Sequence, residues 1–286
     1  MDADPLVLRH ESHQLTLDPA RGGTVREWLW RGLHILRPTP NGAIDDPFAR
    51  ACFPMTPYVN RVAGGSFRFG GRIVTLSRNT TGIAEPIHGQ GWRVPWAVMD
   101  NSATHATMRF EGGADEWPWR YRAEQQFRLH QDGITVDLSA ENLSETLMPV
   151  TLGLHPYFDD SAHAQLQARL PEVWLTSDKA LPVAKSATPA AWCFDAGRPV
   201  NAVPLDHSFT GWDGHASLKW PDRLVTLRGT NTPCRHVYTP PGQDYFCIEP
   251  VSAAAGALNR DRQEAAIVPP QGRFAVSIEF TLRVVP

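Results

Sequence analysis

The chain lacks long apolar segments, an apolar leader and an excess of charge of one sign. No part of its 286 residues approaches the roughly 20 consecutive apolar residues of a membrane helix. Residues 1–12 contain four charged side chains and no apolar centre, which is not the pattern of a secretion signal. These absences predict a cytoplasmic protein that has no membrane partner.

Basic charge and clustered cysteines are also missing. The formal net charge of −3 leaves no basic excess of the kind that nucleic-acid binding requires, so no nucleic-acid partner is expected. The cysteines lie far apart, without the paired spacing of a zinc site or the density of a disulfide framework. We expect buried or incidental thiols and no metal. These cysteines are Cys52, Cys193, Cys234 and Cys247.

Turn-forming and aromatic residues are abundant instead. The 25 prolines, 22 glycines and 10 tryptophans suit many short strands joined by tight turns, with aromatic faces available to a ring-shaped ligand. Apolar and polar residues alternate over 119–129 and 134–140, on either side of an Asp-Gly pair at 132–133. This pattern predicts a β-hairpin. A Gly-Gly pair at 70–71 predicts a second hairpin, and alternation over 274–284 predicts a long final strand.

The fold class follows from these strands and from the weakness of any helical pattern. A parallel sheet needs helices of ten or more residues between its strands. The best helix candidate is Ala253 to Ala266, and Gly256 weakens it. We therefore predict an all-β protein, a large antiparallel β-sandwich, with residues 1–286 as a single domain. The segment Pro182 to Pro204, rich in alanine and proline, is predicted to be an excursion loop or irregular surface.

Three residues with proton-transfer chemistry occupy unusual positions. Glu249 ends an apolar strand-like run that starts at Tyr245, while His88 and His155 interrupt apolar segments that are punctuated by glycine or proline. A carboxylate accepts a proton at neutral pH, and an imidazole gives or takes one near that pH. Together the three side chains can form a general acid/base site.

Five segments, in order, resemble those of the aldose 1-epimerase, or galactose mutarotase, family. The resemblance implies a β-supersandwich and the interconversion of sugar anomers, with a small aldose such as galactose or glucose as substrate and with no metal or other cofactor. The matching segments are Pro57-Tyr58-Val59-Asn60-Arg61, His88-Gly89 with Trp92, His155-Pro156-Tyr157-Phe158, Leu205-Asp206-His207-Ser208-Phe209 and Glu249-Pro250.

The same resemblance implies a role for each matched residue. Glu249 is the expected general base and His155 the general acid, with His88 beside them as the third candidate catalytic residue. The sugar would be held by His88 and by four further residues, which are Arg61, Asp206, Asn60 and Trp92. Two positions depart from many galactose mutarotases, because Leu154 precedes the second histidine and Asp159 follows the aromatic pair.

Several alternatives stay open from the sequence alone. Glu249 is also compatible with a buried ion pair to Arg61 or another cation, and Asp206 with a local turn. His88, His155 and Glu249 also match a two-histidine, one-carboxylate metal triad. Hexose 6-phosphates are an alternative substrate, as is a carbohydrate-binding role without catalysis; the protein is expected to be a monomer or a homodimer. The arginines that would face a phosphate are Arg61, Arg68, Arg72 and Arg93.

Overall fold

The structure, a computed structural model, describes residues 4–113, 116–260 and 264–285. It is about 53% strand and 5% helix, which confirms the all-β prediction. The strands are β1 Leu6–His10, β2 His13–Asp18, β3 Thr24–Trp30, β4 Leu33–His34, β5 Cys52–Met55, β6 Ser66–Phe69, β7 Arg72–Thr75, β8 Ala97–Asn101, β9 His105–Gly112, β10 Tyr121–His130, β11 Gly133–Asn142, β12 Met148–Val150, β13 Gly153–Asp159, β14 Gln165–Ala168, β15 Glu172–Thr176, β16 Pro182–Ala187, β17 Phe194–Pro199, β18 Leu205–Thr210, β19 His215–Lys219, β20 Arg223–Thr230, β21 Cys234–Thr239, β22 Tyr245–Val251, β23 Ala266–Val268 and β24 Arg273–Val284. Short 3-10 helices lie at Asn41–Ala43, Pro47–Ala49, Ala63–Gly65, Ala190–Trp192 and Val200–Ala202.

Two large antiparallel sheets form the body of the protein. The larger sheet has the order β1-β2-β3-β5-β13-β22-β21-β18-β15-β16, with β4 paired to β3. The nine-stranded sheet has the order β17-β14-β19-β20-β24-β11-β10-β9-β8. The strands β6 and β7 form a separate hairpin, and β12 pairs with β23. This arrangement is the predicted antiparallel β-sandwich.

Aromatic rings from the two sheets meet in the core. Phe158 on β13 stacks on Phe246 of the neighbouring strand β22, with ring centroids 5.5 Å apart. Phe280, which lies on β24 of the opposite sheet, is 6.2 Å from Phe158 and 5.9 Å from Trp28. These rings are buried, and large buried aromatic surfaces dominate the stability of such a core.

The predicted hairpins and the final strand are confirmed. β10 and β11 pair from Tyr121↔Asn142 to His130↔Gly133, and side chains along β10 alternate between buried and half-buried positions. The Gly-Gly pair at 70–71 connects β6 and β7. β24 runs along the length predicted for the last strand. Alternation identified these elements because each has one face against the core.

Two predictions about the second half of the chain are wrong. The segment Ala253 to Ala266 forms turns over 255–259, and its last residue begins β23; residues 261–263 lie outside the described ranges. Gly256 has a φ of +72°, in the left-handed region that ends rather than continues a helix. Pro182 to Pro204 is not an excursion loop, because it contains β16 and β17, which pair at the edges of the two sheets.

Cys52, Cys234 and Cys247 are buried as expected, whereas Cys193 is exposed, and all four are free thiols. Within the described ranges, no helix has both the length and the apolar character needed to cross a membrane.

The central strands of the larger sheet are buried on both faces. β5 and β13 have almost no exposed residues, and β22 is buried from its second residue onwards. One face packs on the sandwich core, while the other carries a separate apolar cluster that includes Phe53, Tyr157 and Cys247. Polar side chains on this second face are therefore withdrawn from water without entering the core.

The aromatic core makes a stability prediction. Replacing the fully buried Phe246 by alanine leaves a cavity between the sheets and should lower the free energy of unfolding by about 3–5 kcal/mol. Val183→Ala is the matched control, because Val183 is 65% exposed on the edge strand β16 and should change stability by less than about 0.5 kcal/mol. Urea unfolding measures both variants. Equal midpoints for the two would contradict this description of the core.

Candidate active site

One row of side chains crosses five adjacent strands of the larger sheet. His155 pairs with Phe53 across β13 and β5, Glu249 pairs with His236 across β22 and β21, and His236 pairs with Ser208 across β21 and β18. His155 also faces Glu249, because the residues two positions before and after it pair with Val251 and Cys247. Opposite residues of antiparallel strands point to the same face. Glu249 thus lies between two imidazoles.

A cavity of about 280 Å³ opens over this row. The next row of the sheet adds Tyr157, Tyr238 and Asp206, again from β13, β21 and β18. Loop residues close the remaining sides. The cavity is lined by Phe48, Asn60, Arg61, Ile83, Ile87, His88, His155, Tyr157, Asp206, His236, Tyr238, Tyr245 and Glu249. Its volume is near the lower end for ligand pockets, which suits a small molecule.

His88 reaches the cavity from a loop that is tied to the Asn60 segment. The backbone N–H of Asn60 donates to His88 Nδ1 at 3.2 Å, and the His88 N–H donates to the Asn60 carbonyl at 3.1 Å. Both residues have left-handed φ angles, +55° and +58°, which are uncommon outside glycine. Because Nδ1 accepts a hydrogen bond, the neutral ring carries its proton on Nε2, where it can donate to a ligand.

Asn79, which no motif in the sequence indicated, clamps the same loop. Its Nδ2 donates to the carbonyls of Ile87 and Gly89 at 2.7 and 2.9 Å, while its Oδ1 accepts from the Ile87 N–H at 2.9 Å. Gly89 is required beside it, because its φ is +68° and a Cβ there would collide with the Thr56 carbonyl. The position of His88 is therefore set by backbone contacts.

Burial dominates the electrostatics of Glu249. Its side chain is only 2% exposed, and this burial raises its pKa to about 7, against the opposing effect of the nearby His236 cation. Among the described residues, the basic side chain within 4 Å of the Glu249 carboxyl group is His155, with Nε2 3.3 Å from Oε1, and not Arg61. Arg61 is therefore not the contact partner of Glu249.

Burial shifts the pKa of His155 in the opposite direction, downwards. Removal from water, reinforced by the charge of His236, lowers its pKa to about 3. Its ring stacks on Tyr157 at 4.6 Å and packs 4.5 Å from Phe53, which fixes its orientation towards Glu249. Burial likewise holds the pKa of His88 well below its usual value, with help from His155 and Arg61.

Asp206 is held by a chain of hydrogen bonds. Its Oδ1 contacts His236 Nε2 at 2.8 Å, and the His236 Nδ1 lies 3.0 Å from the Ser208 hydroxyl. Ser208 Oγ in turn accepts from the Ala255 N–H at 3.0 Å. The local-turn alternative for Asp206 is wrong, because the residue lies within β18. Its side chain is 36% exposed, so it remains accessible to a ligand.

The rim of the cavity is aromatic and cationic. Tyr245 packs on Tyr157 at 5.3 Å, and the Arg37 guanidinium lies over both rings, 4.2 Å from Tyr157 and 4.3 Å from Tyr245. Arg37 also donates to the carbonyls of Phe48 and Arg50. Arg61 lines the cavity itself.

Trp92 and three predicted arginines lie elsewhere. Trp92 is 1% exposed and is absent from the cavity lining; it packs behind His88 and Phe53, with ring centroids 5.6 and 4.9 Å away. It therefore supports the wall and does not form its surface. The other arginines are Arg68, which lines a groove beside Leu258 and Arg260, Arg72, which lies over Trp119, and Arg93, which pairs with Glu116.

The geometry does not favour the metal triad. Within the described ranges, no group of three or more His, Cys, Asp or Glu side chains is arranged to hold a metal ion. His88 and His155 instead meet edge to face, with ring centroids 5.4 Å apart.

The cavity is also lined by two side chains that no motif indicated, His236 and Tyr238. They reach it because β21 lies between β22 and β18 in the sheet, where His236 contacts Ser208 of the matched segment on β18. In β21 the polar side chains stand at consecutive positions, Arg235-His236 and Tyr238-Thr239, so the sequence shows no alternation that separates the cavity face from the other face.

The sequence of the chain matches a known family over most of its length. The family model described as aldose 1-epimerase matches residues 7–280. The chain belongs to the aldose 1-epimerase family. Members of this family are isomerases of the mutarotase type, and the chain is accordingly an isomerase of this class.

Relatives of this family member share its whole length. The uncharacterized protein YphB of Escherichia coli K12 is 30% identical, with 97% of this chain and 98% of the relative aligned. A provisionally named aldose 1-epimerase from the same organism superposes with a TM-score of 0.91 at 25% identity, covering 99% of each chain. A galactose mutarotase-like protein from Clostridium acetobutylicum has the same fold, with a TM-score of 0.88, 16% identity and coverage of 98% and 95%.

The Asn79 clamp makes a local prediction. Asn79→Ala removes three hydrogen bonds from the His88 loop and should lower its local opening free energy by about 1–3 kcal/mol. The Ile87 amide should then exchange with solvent roughly 5- to 150-fold faster. Asn101→Ala, at the exposed end of β8, is the control. Unchanged exchange at Ile87 would show that the clamp does not hold the loop.

Proposed function

We propose that this protein interconverts the α and β anomers of a neutral free aldose such as galactose or glucose. The observation that carries the proposal is the buried pair of Glu249 and His155, 3.3 Å apart, inside a cavity of monosaccharide size. Mutarotation needs one group that removes the proton of the anomeric hydroxyl and one that protonates the ring oxygen. The anomeric hydroxyl oxygen and the ring oxygen are both bonded to C1, so a carboxylate and an imidazole that stand side by side meet that need.

The reaction proceeds through the open-chain sugar. Glu249 takes the proton of the anomeric hydroxyl while His155 donates a proton to the ring oxygen, so the bond between C1 and the ring oxygen breaks and an aldehyde forms. Rotation about the C1–C2 bond presents the other carbonyl face, and ring closure by the reverse transfers returns both protons. The net reaction consumes no proton.

The pair must carry one proton for this chemistry. A neutral imidazole does not release its N–H readily, so His155 must be protonated when it acts as the acid, while Glu249 must be ionised. In the free site, burial raises the pKa of Glu249 and lowers that of His155, so the single proton resides mainly on Glu249. The productive arrangement is the one in which that proton has moved to His155.

The other lining groups suit a neutral sugar. His88 Nε2–H and Arg61 offer donors to sugar hydroxyls, Asn60 supports the same loop, and Asp206 offers the oxygen that His236 does not occupy. A dianionic 6-phosphate would require clustered cations. Of the four candidate arginines, Arg68 lines a separate groove, Arg72 lies over Trp119 and Arg93 pairs with Glu116, which favours the free sugar.

Polarimetry of freshly dissolved α-galactose and α-glucose tests the proposal. The purified protein should speed the approach to the equilibrium rotation, and kcat/KM for the free hexose should exceed that for its 6-phosphate. A preference for the phosphate that weakens as salt rises would favour the alternative substrate class. Binding of the sugar without acceleration would favour the non-catalytic carbohydrate-binding protein.

Two variants test the assigned proton transfers. Glu249→Gln and His155→Asn should each lower kcat at least about 100-fold, because each removes one proton-transfer group. His163→Asn is the control, since His163 forms a surface pair with Asp160 and its side chain is 65% exposed. Circular dichroism should be unchanged in all three. Near-normal kcat in a folded Glu249 or His155 variant would contradict the mechanism.

The dependence of kcat/KM on pH tests the single shared proton. The last proton leaves the pair as pH rises through the Glu249 pKa of about 7, after which no acid remains for the ring oxygen. We expect kcat/KM, corrected for the spontaneous reaction, to fall about tenfold per pH unit above that value. A profile that instead keeps rising from pH 6 to 9 would mean that an ionised Glu249 alone suffices.

A further inference from the structure

His236 is a buried histidine of the site that no assigned role uses. It is 4% exposed and stands directly opposite Glu249 across the β21–β22 pair. Cβ atoms of such partners lie about 4.5–5.5 Å apart. Its other side contacts Asp206 through Nε2 and Ser208 through Nδ1. The ring therefore separates two carboxyl groups.

The hydrogen bonds around His236 accommodate a positive charge. An imidazolium donates from both nitrogens, and both nitrogens here have oxygen partners, Asp206 Oδ1 at 2.8 Å and Ser208 Oγ at 3.0 Å. A serine hydroxyl has two acceptor positions, so Ser208 can accept from Nδ1 while it accepts from the Ala255 N–H. This differs from His155, whose Nδ1 is buried without a partner among the described residues.

The charged and titratable groups around His236 come from several elements. β22 contributes Glu249, β18 contributes Asp206, and β13 contributes His155 on the far side of Glu249. The loops add Arg61 and His88. Burial lowers the pKa of His236, but Glu249 and the hydrogen-bonded Asp206 outweigh it, so the pKa is raised.

We propose that His236 is a positioning residue that acts through both of its neighbours. As a cation it draws the shared proton off Glu249 towards His155, and its Nε2–H orients Asp206 towards a sugar hydroxyl. Neighbouring strands lie about 4.7–4.9 Å apart. Since β21 is next to β22 but two strands from β13, the charge of His236 stabilises the Glu249 carboxylate more than it opposes protonation of His155.

The expected effect of His236 on catalysis rests on the proposed function, whereas its expected effect on the pKa of Glu249 does not. The first experiment is therefore a titration of the Glu249 carboxyl carbon by NMR in protein labelled with ¹³C-glutamate. The Glu249→Gln variant identifies the signal by its loss. His236→Gln keeps an N–H donor near Asp206 and removes the charge. The control is His163→Gln, which removes a surface histidine from its pair with Asp160.

His236→Gln should raise the midpoint of the Glu249 titration by about one pH unit or more, the usual effect of losing an opposite charge at this range. His163→Gln should leave the midpoint unchanged. Ser208→Ala, which removes a hydrogen bond but no charge, should move it by much less than His236→Gln does. A Glu249 midpoint in folded His236→Gln equal to that of the wild type would overturn the inference.

Kinetics test the expected effect on catalysis. In His236→Gln the alkaline limb of kcat/KM should move to higher pH together with the Glu249 midpoint. The rate at pH values below the limb should fall, by less than about tenfold for every pH unit by which that midpoint rises, because losing the His236 charge also raises the pKa of His155 to a smaller extent. Ser208→Ala should mainly raise KM, because Asp206 is then less firmly oriented. A uniform loss of rate with an unmoved limb would mean a merely structural role. If the wild type accelerates no sugar while the midpoint still moves, the proposed function fails and the charge coupling stands.

Discussion

The burial of one carboxyl group, Glu249, is the constraint on which the site depends. Withdrawing a carboxylate from water favours its protonated form, and the surrounding groups must then decide where the proton resides. Each strand next to β22 places an imidazole beside Glu249. His155 Nε2 on β13 lies 3.3 Å from Glu249 Oε1, and His236 on β21 pairs directly with Glu249. Of these side chains, Glu249 and His155 are close enough to exchange a proton directly, while the nitrogens of His236 contact Asp206 and Ser208 instead.

The antiparallel sheet supplies this arrangement through its register. Five adjacent strands each place one side chain of the row on the same face, from Phe53 to Ser208, and the rigid pairing fixes their spacing to that of the strands. The loops then cover the face. Contacts between the Asn60 and His88 segments, reinforced by Asn79, bring a further imidazole over the row and exclude solvent from it.

The three histidines of the site have different surroundings, and these shift their pKa values in different directions. His88 and His155 lose their charge to burial, whereas the pKa of His236 is raised because it contacts Asp206 and faces Glu249. The pKa values of three histidines in one cavity thus differ because their partners differ. Trp92 and Phe53 contribute apolar contacts from behind, which keep the imidazole rings in place without competing for their nitrogens.

The strands and the residues with proton-transfer chemistry could be predicted without any structure. Alternation identified β10, β11 and β24, because each has one face against the core, and the motifs around His88, His155 and Glu249 indicated the family. Which strands lie next to each other in the sheet, in contrast, is decided only by the tertiary structure. His236 contacts Asp206, 30 residues away in the sequence, because β18 pairs with β21. No local sequence pattern indicates this pairing. Turns replaced the expected helix after Ala253 and edge strands replaced the loop after Pro182, since packing against distant strands outweighs local propensity.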